Sequence, residues 1–212
     1  MKYLEKLLEG VEVEWKLLED IATITIGEFV HKNKQDKSAK YPVYNGGIAP
    51  TGYYDKFNNT GDKIIVSARG ANAGFVNRTS KPYWAGNSCY SIGINDTTII
   101  SCSYIYYFLK NDENVLIGIQ QGGGIPAVSK KQIESIPIPI PPLSVQKEIV
   151  RILDIFSTLT AELTAELTNR KKQYAFYRDQ LFSIEDGEME WKPLGDLAEN
   201  LDSMRKPVTS GL

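Results

Sequence analysis

Histidine and cysteine are nearly missing from this chain of 212 residues: His31 stands alone, and Cys89 and Cys102 are the only thiols. A single histidine leaves a hydrolytic triad little to work with, and no Gly-x-Ser-x-Gly elbow accompanies it. Set among lysines, His31 reads as a solvated loop residue. Neither cysteine has metal-ligand spacing, and two thiols do not make a disulfide framework. The chain shows no signal peptide and no long apolar run, which points to a reducing cytosol, a cytoplasmic location and no membrane. Gly70-x-x-x-Gly74 and Gly122-Gly123-Gly124 lack the Lys-Ser/Thr of a P-loop and the pattern of a dinucleotide fold. No local pair of carboxylates invites acid–base work. Catalytic residues, cofactors and metals are therefore all expected to be none.

What is present is an ordinary globular composition, 42% apolar, with a net charge of −2 that hides an uneven distribution. Residues 15–142 carry thirteen Lys+Arg against ten Asp+Glu, a local +3, whereas residues 1–14 and 184–212 are acidic. The basic side chains are densest at Lys32, Lys34, Lys37 and Lys40. Further along, hydrogen-bonding residues fall on loops beside aromatics: Asn45, Tyr53, Tyr54, Arg69, Asn72, Arg78, Gln120, Gln121, Lys130 and Lys131. Arg reads guanine and Asn or Gln reads adenine by paired hydrogen bonds, while Lys and Tyr position phosphate. Singly each reads more readily as a plain surface or turn residue; their shared placement on loops makes this the candidate DNA-binding set.

The chain is organised around Ser144 to Ser183. The prolines at 137, 139, 141 and 142 forbid helix on its N-terminal side, and Ser144 is positioned to cap the first turn. Apolar residues recur at Ile149, Ile152, Phe156, Leu159 and Leu163 in steps of three and four, the seam of a coiled coil. A stutter to Leu167 follows, and the seam resumes through Tyr174, Tyr177 and Leu181. Such a helix is on the order of 60 Å long. It either folds back over its own domain or pairs with a second helix. Little other helix is evident beyond the first eight residues and a piece near Tyr104–Lys110, so pairing with another copy is the expectation.

The body reads as short strands and glycine loops. Trp15–Val30 alternates as a strand or strand-turn, Tyr41–Tyr54 holds short strands around an Asn45-Gly46-Gly47 turn, and Gly61–Ala68 is a buried strand. Arg69–Gly74 is a loop, Phe75–Ile94 supplies two or three strands, Gln120–Val128 is a glycine loop, and Ile133–Pro141 is an edge strand. The fold class is thus α+β, largely β and followed by a long coiled-coil-forming helix. A repeat overlies it: VEVEWKLLEDIA at 11–22 returns as GEMEWKPLGDLA at 187–198, with Glu12, Glu14, Trp15, Lys16, Leu18, Asp20 and Ala22 matched by Glu188, Glu190, Trp191, Lys192, Leu194, Asp196 and Ala198. A period of this length is domain duplication.

WKLLEDIATITIG, YPVYNGGIAPTGY, IIVSARGANAG and above all GGGIPAVSKKQIESIPIPIPPLSVQKEIVRILD resemble the specificity subunit of type I restriction-modification systems. The resemblance covers nearly the whole chain. It implies an N-terminal helical tail at 1–14, a target recognition domain at 15–142, a spacer helix at 143–183 and the truncated start of a second recognition domain at 184–212. It also implies that the partners are double-stranded DNA, the modification (methyltransferase) subunits and, through them, the restriction subunit. With one recognition domain and one spacer helix, reading a bipartite site implies a homodimer and an inverted-repeat target. An adenine methyltransferase in its own right needs a cofactor glycine motif and an Asn/Asp-Pro-Pro-aromatic motif, which the chain lacks. The remaining alternative is a non-functional or regulatory fragment that binds modification subunits without selective DNA binding.

Overall fold

A computed structural model of the chain describes residues 7, 9–118, 125–183 and 192–198. It has two compact units, Met1–Ser157 and Thr158–Leu212. In chain order the elements are β1 (Glu14–Leu17), α1 (Leu18–Ile21), β2 (Ala22–Ile26), a 3-10 turn (Lys32–Lys34), β3 (Tyr41–Tyr44), β4 (Gly52–Tyr54), β5 (Lys63–Ser67), β6 (Val76–Thr79), β7 (Trp84–Ala85), β8 (Cys89–Ile94), α2 (Cys102–Asn111), α3 (Glu113–Gly118), α4 (Lys130–Glu134), β9 (Pro137–Ile140), α5 (Leu143–Leu181) and α6 (Leu194–Leu197). Of the expected helical tail at 1–14, residues 1–6 and 8 lie outside the described residues; Leu7 is helical, and residues 9–13 form a turn and an irregular stretch before β1 opens at Glu14.

Three sheets build the first unit: β1-β9, β2-β8-β5-β6 and β4-β3-β7. The four-stranded sheet is antiparallel throughout and is covered on both faces, which is why the centre of β5, Ile64-Ile65-Val66, is apolar without alternation. Ile64 and Val66 face one way, into the main core with Leu18, Ile92, Ile105, Leu109, Ile133 and Ile138. Ile65 faces the other way, into a small cluster with Tyr83, Ala85 and Cys89, against which Tyr44 packs. On that second face the buried Tyr83 hydroxyl donates to Ser91 Oγ at 2.8 Å, so that polar pair is satisfied.

Several local expectations change. Within Trp15–Val30 a one-turn helix, α1, interrupts the strand, closed at its start by the Asp20 carboxylate accepting the Leu17 N–H at 3.2 Å. Ile133 belongs to α4, so the edge strand begins only at Pro137. Ser144 lies inside the long helix and not at its cap. The Pro142 carbonyl already accepts the N–H groups of Val145 and Gln146, and α5 begins at Leu143.

The long helix is fastened to the body by its first turns. Gln146, wholly buried, accepts the Ser101 N–H and donates to the Ile99 and Pro141 carbonyls. Ile149 and Val150 pack against the main core, and the Tyr107 hydroxyl donates to Asp154 Oδ1. In the second unit the helix is exposed around almost its whole circumference from Thr158 on, Ala175 being the only half-buried residue as far as Leu181. There α6 repeats the geometry of α1: its flanking Pro193 (φ −56°, ψ 142°) and Ala198 (φ −138°, ψ 139°) match Leu17 (φ −71°, ψ 149°) and Ala22 (φ −143°, ψ 146°).

Candidate nucleic-acid interface

The ends of β3 and β5 and the start of β8 bring four loops together. Gly46 lies so close to the Arg69 carbonyl that a Cβ would overlap it, and Gly70 adopts φ +93°, a conformation that favours glycine. From this junction the Gly70 N–H donates to Pro126 O and the Val128 N–H to Ala68 O, both at 2.9 Å. The Ala68 N–H donates to Ser88 O at 2.8 Å, and the Ser88 N–H donates to Asn45 Oδ1 at 3.0 Å. The loops carrying Asn45, Arg69, Ser88 and Pro126 are therefore one hydrogen-bonded cluster.

Arg69 is exposed there and has no carboxylate partner among the described residues. Its charge and that of Lys130 both act on the buried Tyr90 phenol, so the two cations lie within electrostatic reach of one point; burial nevertheless wins and raises that phenol's pKa. Lys130 pairs with Glu134 at 2.8 Å, whereas Lys131 is exposed without an ion pair among the described residues. Asn45 gives its carbonyl oxygen to the scaffold and keeps its amide nitrogen. Asn72 follows in the same turn as Gly70 and is half-buried. Two apolar side chains that the sequence did not single out, Ile48 and Ile125, are exposed in the same loops. Gln120 and Gln121 lie outside the described residues.

Lys32, Lys34, Lys37 and Lys40 sit elsewhere, beside β4. The Asp36 N–H donates to Tyr53 O at 3.0 Å, and Gly52 packs against the Gln35 side chain. All four lysines are exposed and lack a carboxylate partner among the described residues. The one acid among them, Asp36, is occupied by the Ser38 N–H and hydroxyl, which hold its carboxyl below the usual range. The lysine loop flanks the Tyr41 end of β3, where Tyr41 pairs with Tyr54, and Asn45 follows the other end. The two basic regions thus lie towards opposite ends of β3. Tyr53 is exposed and Tyr54 half-buried against Trp84. Arg78 joins neither region: it lies opposite Ile64 on β6, its guanidinium held by both Asp62 oxygens at 2.8 and 2.7 Å.

The thiols are no part of this surface. Cys89 and Cys102 are free and buried, and burial pushes each up to about 12. Among the described residues no group of His, Cys, Asp and Glu would hold a metal ion, and no helix is long and apolar enough to cross a membrane.

Residues 10–172 match the family described as type I restriction modification DNA specificity domain. The chain is 35% identical to the specificity subunit of the Escherichia coli type I restriction enzyme EcoR124I/EcoR124II, over 94% of this chain and 52% of that one. The fold is shared with the S subunit of the Mycoplasma genitalium type I restriction-modification system, at a TM-score of 0.69 and 22% identity over 84% of this chain and 48% of that one. It is shared too with the HsdS subunit of Thermoanaerobacter tengcongensis, at a TM-score of 0.58 and 20% identity over 78% and 44%. The chain spans about half the length of the curated relatives it matches.

Proposed function

The chain belongs to the type I restriction-modification DNA specificity family, and from that we propose that residues 15–142 are a target recognition domain reading one half of a bipartite site in duplex DNA. The observation that carries this reading is the loop cluster around Arg69: an exposed guanidinium, without a carboxylate partner among the described residues, on a hydrogen-bonded platform with the Asn45 amide in the same cluster. Arg69 reads guanine and Asn45 or Asn72 adenine from the major groove, while Lys32, Lys34, Lys37 and Lys40 hold phosphates.

In this reading the chain performs no chemistry. It selects the site for modification subunits, and through them for a restriction subunit. Residues 143–183 form the spacer, and residues 184–212 begin a second recognition domain, a reading supported by α6 repeating the geometry of α1. Two copies pair along Phe156, Leu159, Leu163, Leu167, Tyr174, Tyr177 and Leu181, all exposed on the helix. A two-fold pair reads an inverted repeat.

Gel-shift titration with modification subunits present tests the reading. Sequence-selective binding that weakens with salt is expected, and Arg69→Ala should relax preference at one base pair at a cost of about 1–3 kcal/mol. Binding indifferent to sequence contradicts it and favours a fragment that only occupies modification subunits.

A further inference from the structure

Arg78, outside both basic regions, lines an open cleft of about 550 Å³ with Tyr44, Thr79, Ser80, Lys81 and Tyr106. No carboxylate is among these six: they are two cations, two phenols and two aliphatic hydroxyls. Asp62 engages Nε and Nη2 of Arg78 from one side, which fixes the plane of the guanidinium and leaves Nη1 for another acceptor. Lys81 is exposed and has no ion pair among the described residues. The hydroxyls of Tyr44 and Tyr106 make no hydrogen bond to any described residue. Both phenols are protonated donors at neutral pH, and burial shifts them further from ionisation.

We propose that this cleft seats a phosphodiester of the DNA backbone, so that the body grips the duplex at a third point, beside the base-reading loop that Tyr44 leads into. The inference rests on the DNA reading above and adds to it a site and a ligand group. A guanidinium, an ammonium and neutral hydroxyl donors form the donor set that phosphate oxygens accept from. Charge selects the form of phosphate. Asp62 cancels one of the two cations, and Asp154 and Glu113 act on Arg78 and Tyr106 from further away, so the cleft suits a singly charged diester better than a terminal dianion. Its volume exceeds what a bare phosphate fills and leaves room for the attached sugars.

The test uses the full chain assembled with modification subunits and Lys81→Gln, an exposed substitution that leaves the core untouched. The slope of log K against log salt should fall by about one, with target and non-target duplexes weakened by the same factor, about three- to tenfold at low salt. In a scan of duplexes carrying single neutral methylphosphonates, one position should weaken the wild type and cost Lys81→Gln nothing more. Selective wild-type binding with an unchanged slope, and methylphosphonates that cost both proteins equally, overturns the seat and leaves the base-reading surface standing. Non-selective wild-type binding with one phosphate still coupled to Lys81 overturns the base-reading surface and leaves the seat.

Discussion

The side chain of Gln146 in the long helix accepts the backbone N–H of Ser101 at 2.8 Å, and so joins the starts of two helices. Ser101 caps α2 through its own hydroxyl, which accepts from Tyr104 N. The Gln146 amide nitrogen donates to Ile99 O at 3.0 Å and Pro141 O at 2.8 Å, so one wholly buried group satisfies three backbone partners. Gln146→Leu keeps the volume and leaves those partners unsatisfied. A loss of roughly 2–4 kcal/mol is expected, read as a lower urea midpoint at unchanged slope. An unchanged midpoint would show that water replaces the side chain.

The thiols give a test of burial with a definite sign. Cys89 and Cys102 are each pushed up from 9.0 to about 12, chiefly by burial. A folded value above the unfolded one means that the unfolded chain loses its thiol protons first. Their contribution to stability is therefore complete below pH 9 and falls as pH rises from 9 toward 12. Iodoacetamide at pH 8 should leave both unmodified in the native protein and label both in urea, as mass spectrometry would read. Native labelling of either would show that its pocket opens.

Much of this architecture is legible in the residues, wherever local chemistry decides it. Ile64-Ile65-Val66 marks a strand covered on both faces, and the prolines before Leu143 mark where the long helix can begin. The four residues of α1 are too few for helical periodicity to show inside an alternating stretch. Non-local pairing was not legible either. β3 and β7 run parallel, and Asn58 bonds both the N–H and the carbonyl of Ala85 as a strand would, 27 residues away. The same limit governs the site. Arg69 and Arg78 look alike in sequence, and only the fold separates a guanidinium without a carboxylate partner among the described residues from one clasped by Asp62.

Gly46→Ala tests whether the loop cluster is what reads DNA. A methyl group there collides with the Arg69 carbonyl and must displace one of the two loops, while the core residues beneath keep their packing. Selective binding should drop by tenfold or more, a cost of about 1.4 kcal/mol upward. The salt slope should change little, because the lysine loop is untouched. Full selectivity in a folded Gly46→Ala protein would move the reading surface elsewhere.

The helix surface divides into a part packed on the body and a part exposed to solvent, and charge substitutions separate them. Ile149 packs against the main core, whereas Leu159 and Leu163 are 46% and 61% exposed. Ile149→Asp places a carboxylate against apolar neighbours and should lower the melting temperature of the body by several degrees. Leu159→Asp and Leu163→Asp should leave that temperature within about one degree of the wild type, since substitutions away from the core cost about 0.5 kcal/mol or less. Sedimentation equilibrium should nevertheless show these two variants as monomers at concentrations where the wild type is paired, because two copies would oppose like charges along a buried seam. If wild type and seam variants sediment alike while only Ile149→Asp melts early, the apolar stripe has no partner in a second copy.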